Sequence, residues 1–437
     1  MELKELMKNA GIIGAGGAGF PSYAKLAEGA DTLLINGSEC EPLLYTDYEI
    51  LKRERETVIE GALAVLKGST AKRALLCLKR HTADRLSLRE GDRLADGITV
   101  KVLRDSYPIG DEVSLIYEAT GKVVSPGNLP ISVGAIVYNV ETLYNLGRYV
   151  RYSEPVIEKW ITVGGNVEKA VVIKVPVGTP VSHIFKALGI KVTEDTAVLD
   201  GGPSMGKIID PDTYHVTKTT KGILLLPRSS EAVRSKLINE KMAASRAETA
   251  CCQCTRCTDM CPRYLLGYPL EPHKMVRTAV NPATADPSLI LTATLCCGCG
   301  ICESLACSQG ISPKAVINGY KAILSENKLR YVQKDSVYAR EEREYRVIPS
   351  GRWASALGVG YLDKLPEYIE DFPKPSHVEI GLKSHIGAPS VPTAKNTSEV
   401  RVGEVIAEAN GGLSVPQHAS LTGKITLSGN KIRIDKG

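Results

Sequence analysis

Apolar positions in residues 2–10 recur as Leu3, Leu6 and Met7 and stop at Gly11, which predicts a short amphipathic helix. Leu33-Leu34-Ile35 reads as a short buried strand, and residues 47–67 carry helical periodicity. Ala74 to Leu78 and Ile98 to Leu103 read as further strands, with helices after Gly110 and Val140. Strand, polar turn and helix in repetition predict a mostly parallel α/β sheet with its ligand site at the strand C-termini.

Near residue 155 the pattern changes. Trp160 to Val163 and Ala170 to Val175 flank a glycine turn and read as a hairpin. A helix over 181–188 and a strand ending in the glycine-rich loop Val198 to Met205 complete a small β-grasp pattern; Asp200 there reads as a turn residue. Residues 229–250 turn helical and polar, and the helical segments of 263–295 predict an α-helical module. Residues 331–375 are charged and Pro-containing and read as a linker with local structure. Val400 to Val402, Glu404 to Ala407, Lys424 to Leu427 and Lys431 to Ile434 are short strands of a β-barrel or sandwich, in which His385 and His418 read as structural. The expected division is 1–153, 154–228, 229–330, 331–375 and 376–437.

The chain has 437 residues, 43% hydrophobic and 24% charged, with net charge +5, an ordinary globular balance. The positive charge is spread out and gives no case for nucleic acid. The N-terminus is too polar for a signal peptide, and no window approaches a membrane span. The expectation is a soluble, cytoplasmic and oxygen-sensitive protein.

The cysteines alter the picture most. Ten of the twelve fall between 251 and 307. Cys251, Cys254, Cys257 and Cys261 precede Pro262 in a C-x2-C-x2-C-x3-C-P run; Cys296, Cys299, Cys302 and Cys307 follow as C-x2-C-x2-C-x4-C. The first spacing is that of bacterial ferredoxins, whose fourth cysteine serves the other cluster. Cys251, Cys254, Cys257 and Cys307 are therefore expected to hold one 4Fe-4S cluster, and Cys296, Cys299, Cys302 and Cys261 a second. A zinc site needs only four ligands, and disulfides across such short loops are strained. Cys252 and Cys297 fall outside the spacing and read as packing residues, as do Cys40 and Cys77.

Gly14-Ala-Gly16-Gly17-Ala-Gly19-Phe20-Pro21, with Lys25 expected in the first turns of a following helix, has the composition of a phosphate cradle. Its spacing matches neither the dinucleotide fingerprint nor a Walker A motif. Glu39, Glu41 and Asp47 gather where the first strand ends, which suits either a ligand site or a solvated turn.

These stretches, with Asn36-Gly-Ser-Glu-Cys-Glu-Pro42, Tyr107-Pro-Ile-Gly-Asp-Glu112 and Asn139-Val-Glu-Thr142, resemble the flavin and NADH segments of the NADH-oxidising subunit of respiratory complex I. They are closer to the RnfC family of the Rnf electron-transport complex. Segment 154–228 resembles that family's soluble-ligand-binding β-grasp (SLBB) domain, and His385-Ile-Gly-Ala-Pro389 its barrel-sandwich segment. That segment stands C-terminal here, an order similar to that of microcompartment cobalamin reductases, and the x4 spacing before Cys307 suits the same branch. The barrel's one Asp-Lys pair, Asp435-Lys436, falls outside any hairpin turn, and no lipoylation is expected.

The resemblance implies a Rossmann-like FMN/NADH domain, a β-grasp domain, a dicluster ferredoxin domain and a barrel-sandwich hybrid. It implies that Gly14, Gly16, Gly17, Gly19, Phe20 and Lys25 hold FMN and that Asn36 and Glu39 contact its polar groups. Glu41, Gly110, Asp111 and Glu112 would lie on the nucleotide side, and Asn139 and Thr142 near the flavin phosphate. Ser38 and Tyr138 depart from complex I, which has an acid and an Asn there. The implied function is an NADH-dependent oxidoreductase passing electrons through FMN and two clusters to cob(III)alamin or cob(II)alamin in a microcompartment lumen, next to its enzymes or shell proteins. The same motifs suit a component of an Rnf-like complex, or a supplier of electrons to ferredoxin, flavodoxin or another redox protein. Hydride transfer to flavin needs orientation rather than a catalytic base.

Overall fold

In the computed structural model, which describes residues 2–332 and 336–437, the predicted first helix is α1 (Leu3–Asn9). Met7 is wholly buried in the first core with Ile12 and Leu33, so α1 spends its apolar face inside the fold.

Five strands follow: β1 (Thr32–Asn36), β2 (Arg73–Lys79), β3 (Arg93–Ala95), β4 (Ile98–Leu103) and the short β5 (Ser106–Tyr107). With β6 (Ala135–Asn139), the first four build a sheet of order β3-β4-β2-β1-β6, parallel except for β3. The periodic stretch expected as one helix breaks at Glu54, where φ is −125°, into α2 (Thr46–Arg53) and α3 (Arg55–Gly68). Next come α4 (Arg80–Arg85), α5 (Glu112–Thr120) and α6 (Val140–Tyr152). Gly61 of α3 faces Leu143 of α6 so closely that an added Cβ would stand 2.0 Å from its carbonyl oxygen. The strand C-termini and the α5 and α6 N-termini point to one edge, as a parallel sheet requires.

The hairpin is β7 (Glu158–Gly165) with β8 (Val171–Pro176), followed by α7 (Val181–Leu188), β9 (Thr196–Asp200), β10 (Lys207–Ile209) and β11 (Gly222–Pro227). The helical module carries α8 (Glu231–Arg234), α9 (Glu240–Ala250), α10 (Arg256–Asp259), α11 (Pro262–Leu265), α12 (Pro272–Val280), α13 (Pro287–Leu291) and α14 (Pro313–Glu326).

The stretch read as a linker is woven into its neighbours, although residues 333–335 of it, like Met1, lie outside the described residues. Its β12 (Ile348–Pro349) pairs with β5, α15 (Ser350–Ala356) buries Trp353, and β13 (Glu367–Ile369) pairs with β8. The second sheet thereby gains an edge strand, giving the order β10-β9-β11-β7-β8-β13. Charged composition concealed this, because edge strands and exposed turns are polar in any case.

The tail contains β14 (His377–Gly381), β15 (Val391–Pro392), β16 (Glu399–Val400), β17 (Val405–Glu408), β18 (Gln417–His418), β19 (Gly423–Ser428) and β20 (Lys431–Lys436). They form two small sheets around Val378, Ile406, Ile425 and Ile432. Asp435-Lys436 lies within β20.

Candidate redox site

Asn36 ends β1 and Asn139 ends β6, directly opposite in register. The Asn36 amide donates to the Gly110 carbonyl at 2.9 Å. The Asn139 oxygen caps α6 by accepting from Glu141 N, and its amide donates to Asp47 at 2.7 Å. The glycine loop closes through a bond from Gly14 N to Phe20 O at 2.8 Å and packs on Asn139, which a Cβ on Gly16 would meet at 2.9 Å. Ala15 N donates to the Thr142 hydroxyl at 3.1 Å. Thr142 is fully buried beneath the loop, so it supports the cradle from below. Gly16, Gly17 and Ala18 are exposed, and nothing stands within 4 Å of where a Gly17 Cβ would point. This rim, free of side chains and set against the α6 N-terminus, fits a flat ring with an anionic tail.

Lys25 lies in a 3-10 turn, Ser22–Lys25, rather than in a helix. Its ammonium donates to Glu112 at 2.7 Å and to the Val137 carbonyl at 3.2 Å. Lys25 and Glu112 are thus brought together at the rim, with Phe20 half-buried beside them in the chain.

The acids that suited either a ligand site or a solvated turn belong to a buried charge network. Glu39 accepts from the Thr46 hydroxyl at 2.7 Å and from Asp47 N. Burial, with Asp47 adding to it against Lys221, pushes Glu39 up to about 7. Lys221 binds Asp47 at 2.5 Å and Glu141 at 3.2 Å. Burial disfavours its charge, but Asp47 and Glu141 prevail and hold it above the usual ammonium range. Lys159 meets Glu141, and burial lowers it against that carboxylate's pull. Both lysines come from the second sheet and its approach. Sequence reasoning missed them, and the available signal was a lysine inside the apolar strand around Trp160.

Glu41, expected on the nucleotide side, accepts from Ser204 N and Met205 N at 2.8 Å each. Its carboxylate therefore fastens the β9–β10 loop. Asp111 caps α5 through Ser114 N and pairs with Arg263 at 2.7 Å. Gly110 N donates to the Cys40 sulfur at 2.7 Å, placing Cys40 against the loop that ends β5.

The thiols fall into two neighbourhoods. Burial pushes Cys257 up to about 12, with Cys307, Cys251 and Cys254 as its charged neighbours. Burial does the same to Cys261, beside Cys296 and Cys297. Cys302 is raised by burial, then by Glu303, Cys296 and Cys261, and Cys299 has Cys261 and Cys302 nearby. Gly298 and Gly300, at φ +74° and +82°, turn the chain tightly between Cys296, Cys299 and Cys302. Cys261, Cys296, Cys299, Cys302 and Lys314 line one pocket. Among the described residues no three His, Cys, Asp or Glu side chains converge as a single ion requires; each cubane thiolate binds a different iron, so its ligands ring a volume instead. This donor set fits such a cluster. Cys252 is exposed rather than packed, and Cys297 is half-buried. Among the described residues no helix is long and apolar enough to cross a membrane.

Residues 7–148 match the Nuo51 FMN-binding domain, 250–312 the 4Fe-4S dicluster domain, and 365–431 the RnfC barrel sandwich hybrid domain. The chain is similar to the cobalamin reductase PduS of Salmonella typhimurium, 35% identical over 100% of this chain and 97% of that one. It is also similar to the C component of the ion-translocating oxidoreductase complex of Rhodobacter capsulatus, 31% identical over 62% of this chain and 51% of the relative. An NAD+-reducing [NiFe]-hydrogenase in the H2-reduced state aligns with TM-score 0.47 at 18% identity, over 77% of this chain and 63% of the other. The chain is multidomain α/β, with an FMN-binding domain, a 4Fe-4S dicluster domain and an RnfC-type barrel-sandwich domain. Full-length identity at this level makes it a member of the PduS cobalamin reductase family.

Proposed function

We propose that the chain is an NADH-dependent flavin and iron–sulfur oxidoreductase that reduces cob(III)alamin to cob(II)alamin and onward. The observation that carries this reading is the 2.7 Å pair between Asp111 of the flavin-side loop and Arg263 beside Cys261. This pair supports a direct seam between a two-electron entry and a one-electron exit. For cob(III)alamin the balance is NADH plus two acceptors giving NAD+, one proton and two cob(II)alamin. FMN, when bound, supplies the conversion from hydride to single electrons.

The chain's own residues hold and shield. The Gly14 to Gly19 loop offers backbone rather than side chains to the ring, Asn36 and Asn139 fix the strand ends beneath it, and Lys25 with Glu112 borders the tail. Gly110, Asp111 and Glu112 form the nucleotide side, and Glu41 holds the neighbouring loop. Cys251, Cys254, Cys257 and Cys307 bind one 4Fe-4S cluster; Cys261, Cys296, Cys299 and Cys302 bind the other.

The domains run 1–153, 154–228, 229–330 and 376–437, and 331–375 connects the last two while lending strands to the first and second. The second is a β-grasp SLBB domain, whose hairpin, helix and mixed sheet support the assignment. The relative's name supplies the corrinoid acceptor, and the C-terminal place of the barrel-sandwich segment supports work beside microcompartment enzymes or shell proteins in a microcompartment lumen. An anaerobic assay of NADH oxidation with hydroxocobalamin, ferredoxin or flavodoxin as acceptor tests this. Cob(II)alamin formation faster than reduction of either protein is expected; reduction of a protein carrier alone overturns the corrinoid assignment.

A further inference from the structure

The loops that end β1 and β5 reach the cysteine module beside Cys261 and Cys299. Tyr107 is buried, and its hydroxyl donates to the backbone oxygen of Cys299 at 2.7 Å. Its ring stacks on Trp353 with centroids 4.5 Å apart and planes 11° apart. The Trp353 indole in turn donates to the Ser204 hydroxyl at 2.9 Å, the loop that Glu41 grips. Asp111 reaches Arg263, two residues after Cys261. Cys40, bonded to Gly110, packs at the edge of the core that contains Cys261 and Cys296. All of these contacts converge on the set Cys261, Cys296, Cys299 and Cys302.

Exposure runs the other way. Cys261, Cys299 and Cys302 are each 8% exposed and Cys296 is half-buried, whereas no member of the other set is buried: Cys254 is exposed and Cys251, Cys257 and Cys307 are half-buried. The sets adjoin, because α10, which carries Cys257, packs on the turn Cys302–Ala306. Around Cys254 the backbone bends through Gln253 and Thr255 at φ +56° and +60°, which presents the loop outward.

We propose that the two sulfur sets act in series: Cys261, Cys296, Cys299 and Cys302 form the inner station beside the flavin loops, and Cys251, Cys254, Cys257 and Cys307 form the outer station, from which the acceptor takes electrons at the Cys254 loop. This order rests on the function proposed above for its donor and acceptor. Each transfer reoxidises the inner station by one electron and reduces the outer by one; the acceptor then takes that electron, so two passages discharge one NADH. Electron tunnelling falls steeply with distance, so the exposed set is where a bulky acceptor can approach closely enough, and the buried set is not.

The test uses the anaerobic holoprotein. Reduced by dithionite, it is examined by EPR power saturation with and without a soluble dysprosium chelate. One cluster signal should relax faster with the chelate and the other should stay unchanged; equal enhancement of both overturns the order. Cys254→Ser assigns the signals and should remove the chelate-sensitive one, leave an NADH-reducible signal, and abolish cob(III)alamin reduction. Cys299→Ser should leave the chelate-sensitive cluster reducible by dithionite but no longer by NADH. The reverse pattern overturns the order. Because dithionite replaces NADH in the first measurement, a failure of NADH oxidation would count against the proposed function and leave the order to be judged separately.

Discussion

Lys159 and Glu141 meet 2.5 Å apart with 1% and 0% of their side chains exposed. The lysine lies in a strand of the second sheet and the glutamate in the first turn of the helix under the glycine loop. Neither charge can return to water, so the second sheet is fixed against the helix under the glycine loop by an ion pair whose breakage strands a buried charge.

Lys159→Met is therefore expected to cost about 3–5 kcal/mol, as removal of one partner of a buried pair does. Lys221, 3.2 Å from Glu141, keeps part of the compensation, which points to the lower end. Anaerobic denaturation of the variant checks this, and Lys159→Met with Glu141→Gln together should cost less than Lys159→Met alone.

Glu39 gives a pH dependence of defined sign. Its folded value of about 7 lies above the ordinary 4.5, so between those pH values the folded protein binds more protons than the unfolded one. Its contribution to stability falls as pH rises through that window. Glu39→Gln should remove that part of the slope, read as the difference in melting temperature between variant and parent from pH 4.5 to 7. A difference that does not change across the window contradicts the assignment.

The glycines of the cradle separate binding from folding. Gly17 faces open space, so Gly17→Leu should leave the melting temperature of flavin-free protein unchanged while FMN content drops to a small fraction of the parent's. Gly19 is at φ +72°, and a Cβ there would stand 2.9 Å from Thr219 and 3.3 Å from Ser384 O. Gly19→Ala should destabilise by about 1 kcal/mol or more and loosen the barrel-sandwich segment, seen by hydrogen exchange at Ile386, whose amide donates to Gly19 O.

Glu41→Ala leaves the Ser204 and Met205 amides without their carboxylate. Bonds to a charged group contribute about 1.5–3 kcal/mol, so local opening should become easier by about that much. Hydrogen exchange at those two amides should quicken accordingly, and exchange in the first sheet should not.

The cysteine spacing made the 4Fe-4S dicluster domain legible, because ligand geometry fixes short sequence intervals. The strands of the first sheet were legible too, since Leu33 to Ile35 and Ala74 to Leu78 are short apolar runs bounded by turns. Glu41 and Lys159 were not. Their partners lie 163 and 18 residues away, and nothing local distinguishes an acid that binds a ligand from one that ties down a loop. The stretch 331–375 misled for a related reason: β12 and β13 are short edge strands that gain their order from β5 and β8 rather than from their own composition.

The proposed route takes electrons from NADH through bound FMN to two clusters within one chain. An anaerobic NADH titration of freshly purified protein, followed by visible absorption and EPR together, tests it most directly. The expected result is bleaching of the flavin band and, in the same titration, the growth of signals from reduced 4Fe-4S clusters. Protein that holds no flavin, or a flavin that bleaches while no cluster signal appears, would contradict it.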